Sequence, residues 1–139
     1  GGTGTWRENR WVTELQAGSY TLMDTAYGDR EDIPFQQALS VLCTVISVNP
    51  GGWAVLDGGL KAMSTDHGPP TVEGHRLLYL SDEHATILPA TDGGPLPAVG
   101  DRVRVLPSHV DPTVAVHDRM YLVDGDTVVD EWPVDLRGR

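Results

Sequence analysis

The sequence predicts a mainly β domain, and three observations carry that prediction. Apolar residues recur in short runs, without the 3–4 spacing that a helix face would impose. Those runs are bounded by Gly, Pro, Asn and Asp, the residues that terminate strands and form turns. The chain has 139 residues with 16 glycines and 10 prolines, enough punctuation to cut it into many short strands. That length suits one domain with a real core and leaves little room for a second full one.

The candidate strands follow in chain order. Val12–Leu15 and Tyr20–Met23 are the first apolar runs, followed by the polar, turn-prone stretch Gly28–Pro34, which reads as a boundary. Phe35–Ala38 has room for one helical turn. Ala38–Val48 is a long apolar run, and Asn49-Pro50-Gly51-Gly52 turns it back into Trp53–Leu56. Residues 64–75, with Ser, Thr, Asp, His, Gly and paired prolines, read as a long loop of the kind that carries function when a rigid scaffold holds it. Arg76–Leu80 and Ala85–Leu88 come next. Gly100-Asp101 then feeds Arg102–Pro107, whose valines share one face. Arg119–Val123 and Thr127–Trp132 flank Asp124-Gly125-Asp126, a tight-hairpin signature.

Composition excludes several functions. The net charge is −10, with 8 acids and 4 bases in residues 1–70 and 12 and 6 in the remainder. There is no basic stripe to attract nucleic acid or an anionic membrane, and no apolar window long enough to span a bilayer. The only cysteine, Cys43, lies in the apolar run Val41–Ile46. It reads as a core residue, and its solitude fits a reducing, cytoplasmic setting.

Several clusters could carry chemistry. In Pro107-Ser108-His109-Val110-Asp111-Pro112-Thr113, residues two apart on an extended chain share a face. His109 and Asp111 would then present an imidazole and a carboxylate together, a nitrogen and oxygen pair suited to Mn²⁺ or Mg²⁺ at least as well as Zn²⁺. The alternative is a histidine hydrogen-bonded to a carboxylate at a strand end. In His117-Asp118 adjacent residues would face apart, and His75 and His84 read as turn or surface residues. Asp57-Gly58-Gly59-Leu60-Lys61-Ala62-Met63-Ser64-Thr65-Asp66 contains the only lysine. Lys61 is either a Schiff-base nucleophile or, more simply, the partner of an acid; His67 directly follows this segment. Gly1-Gly2-Thr3-Gly4-Thr5 and Gly18-Ser19-Tyr20 offer amides and hydroxyls to a phosphate, without a Walker lysine or the dinucleotide spacing. A chain opening on Gly1 in such a motif reads as the C-terminal part of something longer.

In order, these segments resemble the D-threonine aldolase/D-serine dehydratase family of pyridoxal-phosphate enzymes with the alanine-racemase-like fold. The resemblance runs through Gly1–Thr5, Glu14–Tyr20 to Asp24, Leu56–Asp66, Gly100–Val103 and Pro107–Thr113. It implies that residues 1–30 are the last piece of a (β/α)₈ barrel and residues 31–139 a C-terminal β-barrel-like domain. It implies that Gly1, Gly2, Thr3, Gly4, Gly18 and Ser19 belong to the cofactor's phosphate cradle. It also implies that His109 and Asp111 are metal ligands, and that Asp57 and Asp66 are near the site. The Schiff-base lysine of the family lies upstream of this chain, so Lys61 is not that residue and the chain alone is expected to be inactive.

Dehydratase members show His-x-Cys at the metal pair and aldolase members His-x-Asp. The aspartate here implies metal-dependent cleavage of D-threonine-type D-β-hydroxy-amino acids to glycine and an aldehyde, in a homodimer. A D-serine or D-3-hydroxyaspartate dehydratase is the alternative within the family, and a noncatalytic β-barrel interaction module the alternative outside it.

Overall fold

The structure, a computed structural model, describes residues 2–3, 5, 7–8, 10–28 and 33–137. Among them are β1 (Val41–Asn49), β2 (Trp53–Leu56), β3 (Thr71–Val72), β4 (His75–Leu80), β5 (Ala85–Pro89) and β6 (Arg102–Leu106). The helix α2 (Val110–Ala115), β7 (Arg119–Asp124) and β8 (Thr127–Pro133) follow. Before the barrel lie a 3₁₀ turn, Ser19–Thr21, and the four-residue helix α1, Thr25–Gly28.

The first six strands close into a barrel in the order β1-β2-β5-β4-β3-β6, with every pairing antiparallel. Period-2 alternation explains its interior. Cys43 and Val45 of β1, Ala54 and Leu56 of β2, Ala85 and Ile87 of β5, and Val103 and Val105 of β6 all point into one buried cluster. β-branched and small residues suit a pleated interior of this size. The turn from β1 to β2 needs Gly52, whose φ of 94° lies in the left-handed region where a side chain would be strained.

The connection from β2 to β3 does not form a hairpin. Residues 57–70 cross the barrel to reach β3 between β4 and β6, and Met63 on that crossing is buried in the core cluster. A Cβ on Gly59 would sit 2.3 Å from the Ser81 carbonyl oxygen and 2.4 Å from the His84 nitrogen. The glycine therefore lets the crossing lie directly on the β4–β5 turn. Among the described residues, the β7–β8 hairpin pairs only with itself and contributes no residue to the core.

The structure departs from the sequence reading in five places. Val12–Leu15 and Tyr20–Met23 are not strands: the first is irregular and largely exposed, and the second is mostly a 3₁₀ turn closed by Thr21 Oγ1 donating to the Gly18 carbonyl at 2.9 Å. Phe35–Ala38 is irregular rather than helical. The loop at 64–75 contains the two-residue β3, too short to produce a visible alternation. His109 and Asp111 do not lie on one extended segment either. His109 is extended, with φ −146° and ψ 122°, but it is the N-cap of α2, and Asp111 lies in that helix's first turn. Pro112 in the same turn is compatible with a helix start, where its missing N–H is not needed.

Candidate metal centre

Three chain segments meet at the mouth of the barrel. The first is the crossing through Ser64, Asp66 and His67. The second is the exit from β6 through Pro107 and Ser108 into α2. The third is the leading segment at Met23–Thr25. Hydrogen bonds stitch them together. The Thr25 amide donates to the Pro107 carbonyl at 3.2 Å, and Asp24, wholly buried, accepts from the Val110 amide at 3.1 Å. Asp24 thereby satisfies one of the donors that the start of a helix leaves unpaired. The Ser64 amide donates to Thr113 Oγ1 at 3.1 Å, and that hydroxyl donates to the His109 carbonyl at 2.7 Å. Ser108 Oγ donates to the Ser64 carbonyl at 3.3 Å, and His117 Nε2 donates to the Ala62 carbonyl at 2.7 Å.

His109 sits at the centre, with a carboxylate on each ring nitrogen. Its Nδ1 lies 2.7 Å from Asp66 Oδ2 and its Nε2 lies 3.1 Å from Asp111 Oδ2. Ser64 Oγ donates to Asp66 Oδ1 at 2.5 Å. His67 stacks on the His109 ring, with centroids 4.0 Å apart and planes 5° from parallel. A cleft of about 480 Å³, lined in part by Thr25, Gln37, His67 and Thr71, opens beside His67.

The charges respond to this arrangement. The Ser64 hydroxyl first, and then the His109 ring, hold the Asp66 carboxyl down at about 2. Burial pulls the His109 pKa down, but the hydrogen bond that the ring donates to Asp66 and the charges of Asp66 and Asp111 outweigh that and leave the pKa raised. Protonated, His109 is an ion-pair partner for two carboxylates. Neutral, with its proton on Nδ1 toward Asp66, it presents a lone pair on the side of Asp111, whose Oδ2 lies 3.1 Å from Nε2, an edge open to a proton or to another cation.

The donor set fits a hard divalent ion. Bonds of roughly 2.1 Å at a right angle separate two ligand atoms by roughly 3.0 Å, close to the 3.1 Å between Nε2 and Oδ2. Asp66, His67 and His109 also form a compact group with ligand atoms within 4.8 Å of one another. Stacking argues against that trio acting together: an imidazole lone pair lies in its ring plane, and two parallel planes do not converge on one ion. The Nε2 edge with Asp111 is the better-formed pair.

The other residues singled out from sequence fall as follows. Gly2 and Thr3 are buried, and a Cβ on Gly2 would meet Leu15 Cδ1 at 2.9 Å and Ala17 Cβ at 3.0 Å. Gly2 is thus brought beside the segment leading to Gly18 and Ser19, while a Cβ on Gly18 would meet open space. Gly1 and Gly4 lie outside the described residues. Lys61 is exposed and paired with Glu83, in keeping with the simpler of its two readings. Asp57 is turned to β1, where it accepts from the Thr44 amide at 2.6 Å. The His75 ring donates to the Glu73 carbonyl at 2.9 Å, and His84 is exposed in the β4–β5 turn. Sequence reasoning placed Asp66 near the site only through the resemblance and assigned no role to Asp24 or Thr113. Acid and proline in the first turn after His109 were the available signal for α2.

The closed β barrel is shared with solved alanine-racemase-like proteins: one from Idiomarina loihiensis superposes with a TM-score of 0.72 at 26% identity, covering 88% of this chain and 38% of that one. Residues 38–123 match the family described as "Putative serine dehydratase domain", and the chain belongs to that family. A D-threonine aldolase of an Arthrobacter species is 40% identical over 132 residues, covering 91% of this chain and 35% of the aldolase. The crystal structure of D-threonine aldolase from Filomicrobium marinum superposes with a TM-score of 0.80 at 39% identity, covering 90% of this chain and 36% of that one. D-threo-3-hydroxyaspartate dehydratase from Delftia sp. HT23 gives a TM-score of 0.72 at 30% identity, covering 94% and 40%. The chain spans little more than a third of the length of the two aldolases. These relatives are lyases, so the family is one of enzymes.

Proposed function

We propose that this chain is the metal-bearing β domain of a pyridoxal-phosphate-dependent aldolase that cleaves D-threonine-type D-β-hydroxy-amino acids to glycine and an aldehyde. The observation that carries this reading is the pairing of His109 Nε2 with a carboxylate, Asp111 Oδ2, at 3.1 Å. An oxygen at that position selects a hard cation such as Mn²⁺ or Mg²⁺ over the softer zinc site that a thiolate would make. His109 and Asp111 would hold the ion from one side and leave its remaining positions open. Such an ion supplies Lewis acidity at the substrate's β-hydroxyl, and pyridoxal phosphate supplies the electron sink for cleavage at Cα.

In this reading residues 1–30 complete the cofactor barrel and residues 31–139 form the β domain. The amides and hydroxyls of Gly2, Thr3, Gly18 and Ser19 would face the cofactor phosphate, together with Gly1 and Gly4. The packing of Gly2 against Ala17 favours this, because it joins the two glycine-rich stretches in one place. Asp24 would couple the two parts by holding the start of α2 from the leading segment. The functional unit would be a homodimer with its site between one subunit's barrel and the other's β domain.

The similarity to the Delftia dehydratase favours a second reading, loss of water from a 3-hydroxy-D-aspartate or D-serine substrate at the same centre. One experiment separates the two. The longest reading frame containing this chain is expressed with pyridoxal phosphate and incubated with D-threonine, D-serine or D-threo-3-hydroxyaspartate, with Mn²⁺ or with a chelator. Glycine and acetaldehyde from D-threonine, lost on chelation, are the expected products. A 2-oxo acid and ammonia would establish the dehydratase reading, and no turnover would leave a β-barrel interaction module.

A further inference from the structure

We infer that Asp66 is a positioning residue for His109: it fixes the proton on Nδ1 and aims Nε2 at the side of the ring where Asp111 stands. The inference rests on the reading that His109 and Asp111 hold a cation. It is carried by a closed circuit of hydrogen bonds. The His109 ring donates from Nδ1 to Asp66 Oδ2 at 2.7 Å, and Asp66 Oδ1 accepts from the Ser64 hydroxyl at 2.5 Å. The Ser64 amide is held by Thr113 Oγ1 at 3.1 Å, and Thr113 returns to the His109 carbonyl at 2.7 Å. Backbone and side chain of the same histidine are thereby fixed through one loop and one helix. His67, stacked at 4.0 Å, restricts rotation of the ring about its remaining torsion.

The geometry distinguishes positioning from ligation. The two nitrogens of an imidazole direct their lone pairs or protons to opposite sides of the ring. Asp66 and Asp111 occupy those opposite edges, so a single ion bound at Nε2 cannot also be bound by the Asp66 oxygen that lies on Nδ1. A carboxylate on the far nitrogen of a ligating histidine commonly sets its tautomer and orientation, and removing such a group costs about 10–100-fold in metal affinity.

The test uses the longest reading frame that contains this chain and two readouts, one of them independent of metal. Imidazole ¹⁵N spectra of the metal-free protein, at a pH where His109 is neutral, report its tautomer, and Mn²⁺ titration followed by electron paramagnetic resonance reports affinity. Wild type is expected to show the Nδ1–H form. Asp66→Ala is expected to shift His109 to the Nε2–H form and to weaken Mn²⁺ binding about 10–100-fold. Asp66→Asn, whose amide oxygen still accepts from Nδ1, is expected to retain the tautomer and most of the affinity. Asp111→Ala is expected to lose Mn²⁺ with the tautomer unchanged. The inference is overturned if Asp66→Ala leaves the tautomer as in wild type, and equally if it abolishes Mn²⁺ binding without moving the tautomer, which would make Asp66 a ligand. Wild-type protein that shows the Asp66-dependent tautomer but binds no Mn²⁺ would overturn the metal reading and leave the tautomer assignment standing.

Discussion

His109 faces two acids, and the pH dependence of the site follows from the opposite shifts of Asp66, lowered, and His109, raised. The Asp66 carboxyl is lowered to about 2, so its contribution to stability is present above the ordinary aspartate value, near 3.9, and is lost as pH falls toward 2. His109 is raised, so its contribution is complete below about 6.5 and is lost as pH rises through its folded value. Without metal, the stabilisation of wild type relative to Asp66→Asn should therefore be largest between about pH 4 and 6.5. Urea melts at pH 2.5, 5.5 and 9 check this. Mn²⁺ affinity should run the other way and rise with pH, because the proton and the ion compete for His109. Cys43 offers a second check at this scale. Burial, and then the charge of Asp57, push its thiol up to about 11. It should resist alkylation at pH 8 in the folded protein and react readily in denaturant, which timed labelling with and without urea would reveal.

At the scale of elements, α2 positions Asp111, and two buried polar side chains hold α2. Thr113 is 1% exposed and is bonded to both Ser64 and His109. Thr113→Val keeps the shape but leaves the Ser64 amide without that acceptor, a loss of about 1–3 kcal/mol. Asp24→Ala removes the acceptor for the Val110 amide and should cost a similar amount, about 1–3 kcal/mol. Both variants are expected to weaken Mn²⁺ binding as well as lower the melting temperature, because both free the helix that carries Asp111. Calorimetry paired with Mn²⁺ titration tests the two effects together. Retained affinity in a destabilised Asp24→Ala protein would show that α2 holds its place without the leading segment.

For the whole molecule, the barrel closes around a small set of aliphatic residues, and the candidate metal centre is tied to it through Met63. The crossing that brings Asp66 to the mouth also buries Met63 in the core. Ile87→Ala, at a position with no solvent exposure, should cost about 2–5 kcal/mol. Denaturation followed by intrinsic fluorescence and by Mn²⁺ release is expected to give coincident transitions. Mn²⁺ release well before the barrel melts would show that the crossing opens on its own.

Much of the barrel was legible in the chain. Trp53–Leu56 matches β2 residue for residue, and the runs assigned to β4 through β8 fall within a residue or so of the observed strands. There, alternation and turn chemistry agree. Val12–Leu15 had the apolar content of a strand but gained no ladder, and content alone does not supply hydrogen-bond partners. β3 has two residues and α2 has six, too few for either period to register.

The sequence by itself determined the β class and placed His109 and Asp111 as a nitrogen and oxygen pair, because alternation and residue chemistry are local properties. Only the tertiary structure decided how the pair is built. Asp111 reaches His109 from a helix rather than along a strand, and Asp66, 43 positions away, takes the other ring nitrogen. Asp24, 86 positions from Val110, holds the start of that helix. These contacts arise where a strand crossing, a strand exit and a leading segment meet. No spacing along the chain encodes which segments a closed barrel brings to the same end.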